Sequence, residues 1–126
     1  MSKAWIQTYT GRQFWPLNPR AEDVCLEDIA HSLSLQCRFN GHCRRLYSVA
    51  EHTVRMVGQL EREGHNMDVL RWALLHDAAE VYLSDVPRPV KQQIPVYGAA
   101  ESHLRAVICA ALGVGPSRED CRAVRI

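Results

Sequence analysis

Apolar positions along the chain fall into two kinds of pattern. Residues 5–9, Trp5-Ile6-Gln7-Thr8-Tyr9, are strand formers, Thr10-Gly11-Arg12-Gln13 supplies turn residues, and Phe14-Trp15 follow. Two short runs flanking a glycine-containing turn predict a small β-hairpin. Pro16 and Pro19 then discourage continuation, so residues 1–20 read as hairpin plus loop. Beyond this point the period becomes helical. Leu26, Ile29, Ala30 and Leu33 stand at i, i+3, i+4 and i+7 and predict a helix over 26–35. Residues 36–47 are polar, contain Gly41 and read as a loop.

The remaining helices are marked by their ends. Ser48 with Glu51 three residues later has the spacing of a capping box, and Gly64 is a natural stop, which predicts a helix over about 48–63. Asp68 is placed to cap a helix over about 69–83, rich in Leu, Ala and Trp72 and expected to be the most buried. The segment Val86-Pro87-Arg88-Pro89-Val90 predicts a break. A helix from Val96 or Tyr97 to Leu112 follows, closed by Gly113, and Ser117 before Arg118-Glu119-Asp120 opens another. The expected fold is therefore all-α: a bundle of five to six helices carrying a small N-terminal hairpin, in one domain over 1–126.

Composition narrows the chemistry. The chain has 126 residues, 47% of them hydrophobic and 23% charged, with a net charge of +1. Neither this balance nor any basic block suits a nucleic-acid polymer or a membrane surface. Residues 1–10 lack the pattern of a signal peptide, and no apolar run approaches a membrane span. The five cysteines include no CxxC pair and are expected to be reduced thiols in a cytoplasmic protein. Cys37, His42 and Cys43 could be imagined around zinc, but no second half of such a site lies nearby.

The chemistry concentrates where polar groups interrupt apolar faces. His76-Asp77 and Glu80 sit in the predicted 69–83 helix, with His76 and Glu80 four apart on one face. His52 lies in the first turn of the 48–63 helix, among Val49, Thr53 and Met56, a face expected to pack inward. Burying these groups is costly unless something satisfies them, and a divalent metal ion would do so. Two imidazoles and a carboxylate, with positions open to water, make a reasonable hydrolytic metal site. Such ligands suit manganese, cobalt, iron, nickel or zinc. Without a metal, His76-Asp77 would be only a buried hydrogen-bonded pair.

Taken together, these residues resemble the HD-domain metal-dependent phosphohydrolase superfamily. Tyr47-Ser48-Val49-Ala50-Glu51-His52-Thr53-Val54 looks like the stretch carrying the first metal histidine. Ala73-Leu74-Leu75-His76-Asp77-Ala78-Ala79-Glu80-Val81 looks like the stretch carrying the His-Asp pair. Arg38-Phe39 and Ser84-Asp85-Val86-Pro87-Arg88-Pro89-Val90-Lys91 are similar to flanking segments of the bacterial HD-type 5′-deoxynucleotidases. The resemblance spans residues 25–112. It implies His52, His76 and Asp77 as metal ligands. Glu80 would handle the proton of the attacking water or leaving oxygen. Arg38 would grip phosphate, Phe39 wall the site, and Asp85 sit near the sugar.

The implied substrate is a small nucleotide or other phosphomonoester, such as a deoxynucleoside 5′-monophosphate. The alternatives are a cyclic or pyrophosphorylated nucleotide, or an inactive metal- and nucleotide-binding module. A homodimer is expected from the same resemblance. The family's second metal aspartate lies on a later helix, after a basic-apolar stretch that Arg122-Ala123-Val124-Arg125-Ile126 resembles. Asp120 precedes that stretch and reads as a helix-start residue. The expectation is either a chain truncated before that ligand, with part of its apolar core exposed, or a site of three ligands plus waters.

Overall fold

The computed structural model describes residues 2–124. They form an all-α bundle with a two-stranded hairpin, as the hydrophobic pattern predicts. Strand β1 (Ile6–Gln7) pairs antiparallel with β2 (Gln13–Phe14), placing Ile6 opposite Phe14 and Gln7 opposite Gln13. Gly11 closes the turn with φ +87°, a conformation that costs glycine nothing. Such a hairpin is too small to stand alone. It is held instead by the helices: Phe14 is fully buried and its ring stacks on Tyr82 at 3.6 Å, while Tyr9 stacks on His31 at 3.6 Å.

Seven α-helical segments occur among the described residues: α1 (Leu26–Leu35), α2 (Val49–Arg62), α3 (Met67–Leu75), α4 (Glu80–Leu83), α5 (Arg88–Lys91), α6 (Pro95–Ala111) and α7 (Arg118–Ala123). The excess over the five to six expected is made of single turns: α4 is the detached end of the predicted 69–83 helix, and α5 sits inside the predicted break. Helix α2 packs between α1 and α3, and α3 also meets α6 and α7. The core runs through their shared faces, with Val49, Ala73, Ala78, Leu104 and Ile108 almost completely buried.

Several caps differ in detail from expectation. Ser48 does accept the Glu51 N–H at 3.0 Å, but the Glu51 carboxylate turns away to Arg55, leaving half a capping box. Asn66, not Asp68, caps α3 by accepting the Val69 N–H, so that helix starts two residues earlier and Asp68 lies in its first turn. A carboxylate is still favourable there, beside the positive end of the helix. Ser117 and Asp120 form a complete reciprocal box at the start of α7. Gly64 and Gly113 end α2 and α6 with φ of +84° and +72°, as their positions predicted.

The largest departure lies between α3 and α4. From Ala78 to Tyr82 the recorded N–H groups donate to carbonyls three residues back, at 3.0 to 3.2 Å, a tightened turn in place of a continuous α-helix. His76 supplies a cause: its Nδ1 lies 2.8 Å from the Ala73 carbonyl, the acceptor that Asp77 N–H would use in a regular helix. In a tightened turn residues three apart share a face, which aligns Asp77 with Glu80, whereas a regular helix aligns His76 with Glu80.

Candidate metal centre

His52 is fixed by the first turn of α2, where its N–H donates to the Ser48 carbonyl. His76 and Asp77 stand at the end of α3. The packing of α2 on α3 brings their ligand atoms together: one atom each of His52, His76 and Asp77 lie within 4.8 Å of one another. Asp77 Oδ2 is 3.1 Å from His76 Nε2 and 3.9 Å from His52 Nε2. Donor pairs on one first-row ion at about 2.1 Å stand about 3 to 4 Å apart, and both pairs that include Asp77 fall in that range.

Hydrogen bonding sharpens that fit. A carbonyl oxygen only accepts, so His76 Nδ1 carries the hydrogen that it gives to Ala73. In the neutral ring Nε2 is then a bare lone pair, and it faces a carboxylate oxygen 3.1 Å away. Two lone pairs at that distance repel unless a proton or a cation lies between them. A bond from the far ring nitrogen to a backbone carbonyl is also what fixes the tautomer of metal-binding histidines.

The electrostatics point the same way. Burial, the Arg38 charge and His76 hold the His52 imidazole below its usual range, against the opposing pull of Asp77 and Asp85, so it is a free base at neutral pH. Burial works to raise Asp77, but a proton on the facing His76 ring and the Arg38 charge favour its ionised form, and the carboxyl is held below its usual range. Glu80 behaves oppositely. It is 7% exposed, and burial, then Asp77, then Asp85 push its carboxyl up to about 9. Its Oε2 has no hydrogen-bond partner. An orphaned buried oxygen beside three converging donors is one a metal's water could satisfy.

These residues line a cleft of about 910 Å³ together with Arg38, Phe39 and Asp85. Every site residue named from the sequence therefore lines one cavity. Arg38 projects from the loop 36–48, whose neck is closed by Val49 N–H on the Gln36 carbonyl and Arg38 N–H on the Tyr47 carbonyl. Its guanidinium lies 4.6 Å from the Phe39 ring centre and 5.6 Å from that of Tyr47. Phe39 sits half-exposed with φ +59°, a left-handed conformation costing a non-glycine residue about 1–3 kcal/mol. Asp85 follows Ser84, also left-handed at φ +73°, and Tyr97 anchors this stretch by donating to the Leu83 and Ser84 carbonyls.

The cleft has walls the sequence reading did not assign. Arg88, Lys91 and Glu101 line it, and Lys91 pairs with Glu101 at 2.8 Å, tying α5 to α6. Arg88 and Lys91 lie within the segment quoted for the resemblance; Glu101 has no local signature, being a carboxylate in the middle of a long helix. Asp120 is not at the site. It is buried and spent on the α7 cap, as its helix-start reading implied. Val124 lines the cleft, while Arg125 and Ile126 lie outside the described residues.

No protein-family model matches the chain. It is similar to the uncharacterized protein YfdR of Escherichia coli K12, 38% identical over 113 residues that cover 90% of this chain and 61% of YfdR. It is also similar to an uncharacterized protein of Rhodobacter capsulatus, 40% identical over 99 residues covering 75% of this chain and 50% of that protein. The chain thus spans between half and about three-fifths of the length of these curated relatives.

Proposed function

We propose that this chain is a metal-dependent phosphohydrolase of the HD type, acting on a phosphomonoester of a small nucleotide. The observation that carries the reading is the convergence of His52, His76 and Asp77 on one point in a cleft that also holds an arginine and a buried carboxyl with an unpartnered oxygen. His52, His76 and Asp77 would hold a divalent ion, leaving its other positions to water. When bound, such an ion supplies Lewis acidity, lowering the pKa of water and polarising a phosphoryl oxygen.

The chain's own groups then divide the work. Arg38, backed by two aromatic rings, offers paired donors to the phosphate oxygens and shares the charge that develops on them. Glu80 handles the proton. With positive charge beside it, its carboxyl falls back toward the ordinary range and can take a proton from the attacking water, then return it to the leaving oxygen. Asp85 and the Lys91–Glu101 pair offer polar partners to the rest of the substrate. Phe39 at the rim offers a stacking surface to a base.

Phosphate release from a panel of deoxynucleoside 5′-monophosphates, with manganese or cobalt added, tests the reading. Release that disappears in His76→Ala together with bound metal supports it; metal-loaded protein that releases no phosphate from any member rejects it. A specific observation favours a second reading. Among the described residues three protein donors meet, and Asp120 is committed elsewhere, so the site can bind metal and nucleotide without turnover. Tight nucleotide binding without phosphate release would be its signature.

A further inference from the structure

The loop 36–48 contains a sulfur pair that the metal site does not use. Cys37 and Cys43 are six residues apart, yet their Sγ atoms lie 3.5 Å apart. The backbone explains this approach. Phe39, Asn40 and Gly41 take φ of 59°, 52° and 80°, three left-handed residues in succession that fold the chain back on itself. The His42 N–H donates to the Phe39 carbonyl and the Cys43 N–H to the Gly41 carbonyl, both at 2.9 Å, while an isolated bridge between Cys37 and Ser48 holds the neck. A disulfide needs its sulfurs about 2.05 Å apart, about 1.5 Å closer than they stand here.

The setting favours oxidation. Cys43 is exposed and Cys37 partly so, whereas Cys109 is buried. The hydrogen bond with Cys37 and desolvation hold the Cys43 thiol above its usual range, so it is the approach of the two sulfurs that sets this pair apart from a lone cysteine. We propose that Cys37 and Cys43 are a reversible redox pair that peroxide converts to an intramolecular disulfide, locking the turn that bears Arg38 and Phe39. One thiolate attacks a peroxide oxygen; the O–O bond breaks, a sulfenic acid forms and the released hydroxide takes a proton to become water. The other thiolate attacks that sulfur, the S–S bond forms, the S–O bond breaks and a second water leaves. Two electrons pass from the sulfurs to one peroxide, and a dithiol returns them.

The disulfide would hold three residues in a conformation that two of them disfavour, so its direct effect is on the loop's freedom. This inference rests on the thiol geometry and not on the phosphohydrolase reading, and its test is run in chelator so that the two stand or fall separately. The full chain is treated with low peroxide, its free thiols are alkylated and the digest is mapped by mass spectrometry. The expected result is loss of two of the five thiols as one Cys37–Cys43 cross-linked peptide, reversed by dithiothreitol. Amide exchange across 37–48 should slow by about tenfold. Cys43→Ser, at an exposed position, should yield no such peptide. Five thiols left intact at peroxide levels that oxidise free cysteine would overturn the proposal. So would cross-links formed between chains in preference to within them, or an unchanged exchange rate in the oxidised loop.

Discussion

Asp28 and Glu80 are carboxylates shut away from solvent, 2% and 7% exposed, and the fold treats them in opposite ways. Asp28 stands at the start of α1 and receives the N–H of Thr10 at 2.8 Å and its hydroxyl at 3.1 Å. Both of its oxygens are used, and the result is a clamp between the hairpin turn and the bundle. Glu80 keeps one oxygen with no partner, next to two other carboxylates that push its proton affinity up. Stability alone would not retain such a group, because an unsatisfied buried oxygen costs about 1–3 kcal/mol. A satisfied buried carboxylate holds a fold together, and an unsatisfied one beside metal-ligand donors is available for chemistry.

The contrast can be broken most directly by removing each charge. Glu80→Gln should lower phosphate release by about a thousandfold, the scale of a lost proton-transfer group, while leaving the melting temperature unchanged or raised. A melting temperature that falls sharply would make Glu80 a structural residue like Asp28. Asp28→Ala should destabilise the chain by about 3 kcal/mol in a denaturant titration, since two Thr10 donors lose their partner, yet leave metal binding by the folded fraction intact. Loss of metal affinity at full folding would erase the division between the two regions.

A smaller effect sharpens the same point through pH. Unfolding places Glu80 in water, where it ionises near 4.5, whereas the metal-free folded chain holds its proton until about 9. Between those values the unfolded state binds fewer protons, so the Glu80 contribution to stability is lost as pH rises. His52 and Asp77, both depressed, contribute in the opposite sense: theirs is lost as pH falls. Melting temperatures of metal-free wild type and Glu80→Gln across this range isolate the Glu80 slope. The variant should gain on the wild type by a few °C toward alkaline pH. Parallel curves would mean that Glu80 is ionised in the folded chain.

Some of this was legible because it is local. Ser48, Ser117, Gly64 and Gly113 mark helix ends through bonds to their own neighbours or through their own φ, and all four stand where their residue types imply. The hairpin was visible for the same reason. Asp68 misled because Asn66 two residues earlier offers the same chemistry, and the choice between them depends on how the chain leaves Gly64. The break after Leu75 left no trace in the apolar pattern, which runs on through Ala78, Ala79 and Tyr82; it arises where the His76 ring takes the Ala73 carbonyl. Glu101 entered the cleft unannounced, since its partner Lys91 lies on another helix. Cys37 and Cys43 were grouped from the sequence only as zinc ligands without a second half; it is the left-handed turn that brings their sulfurs together as a pair.

By itself, then, the sequence determined which stretches coil, where capped helices stop and which polar side chains sit on apolar faces, because period and capping depend on residues within a turn or two. Tertiary structure decided which of those side chains meet. The packing of α2 on α3 set the distance from His52 to Asp77, the tightened turn chose Asp77 as the neighbour of Glu80, and α5 against α6 built the far wall. Those outcomes depend on contacts between residues far apart in the chain, where no local pattern carries the information.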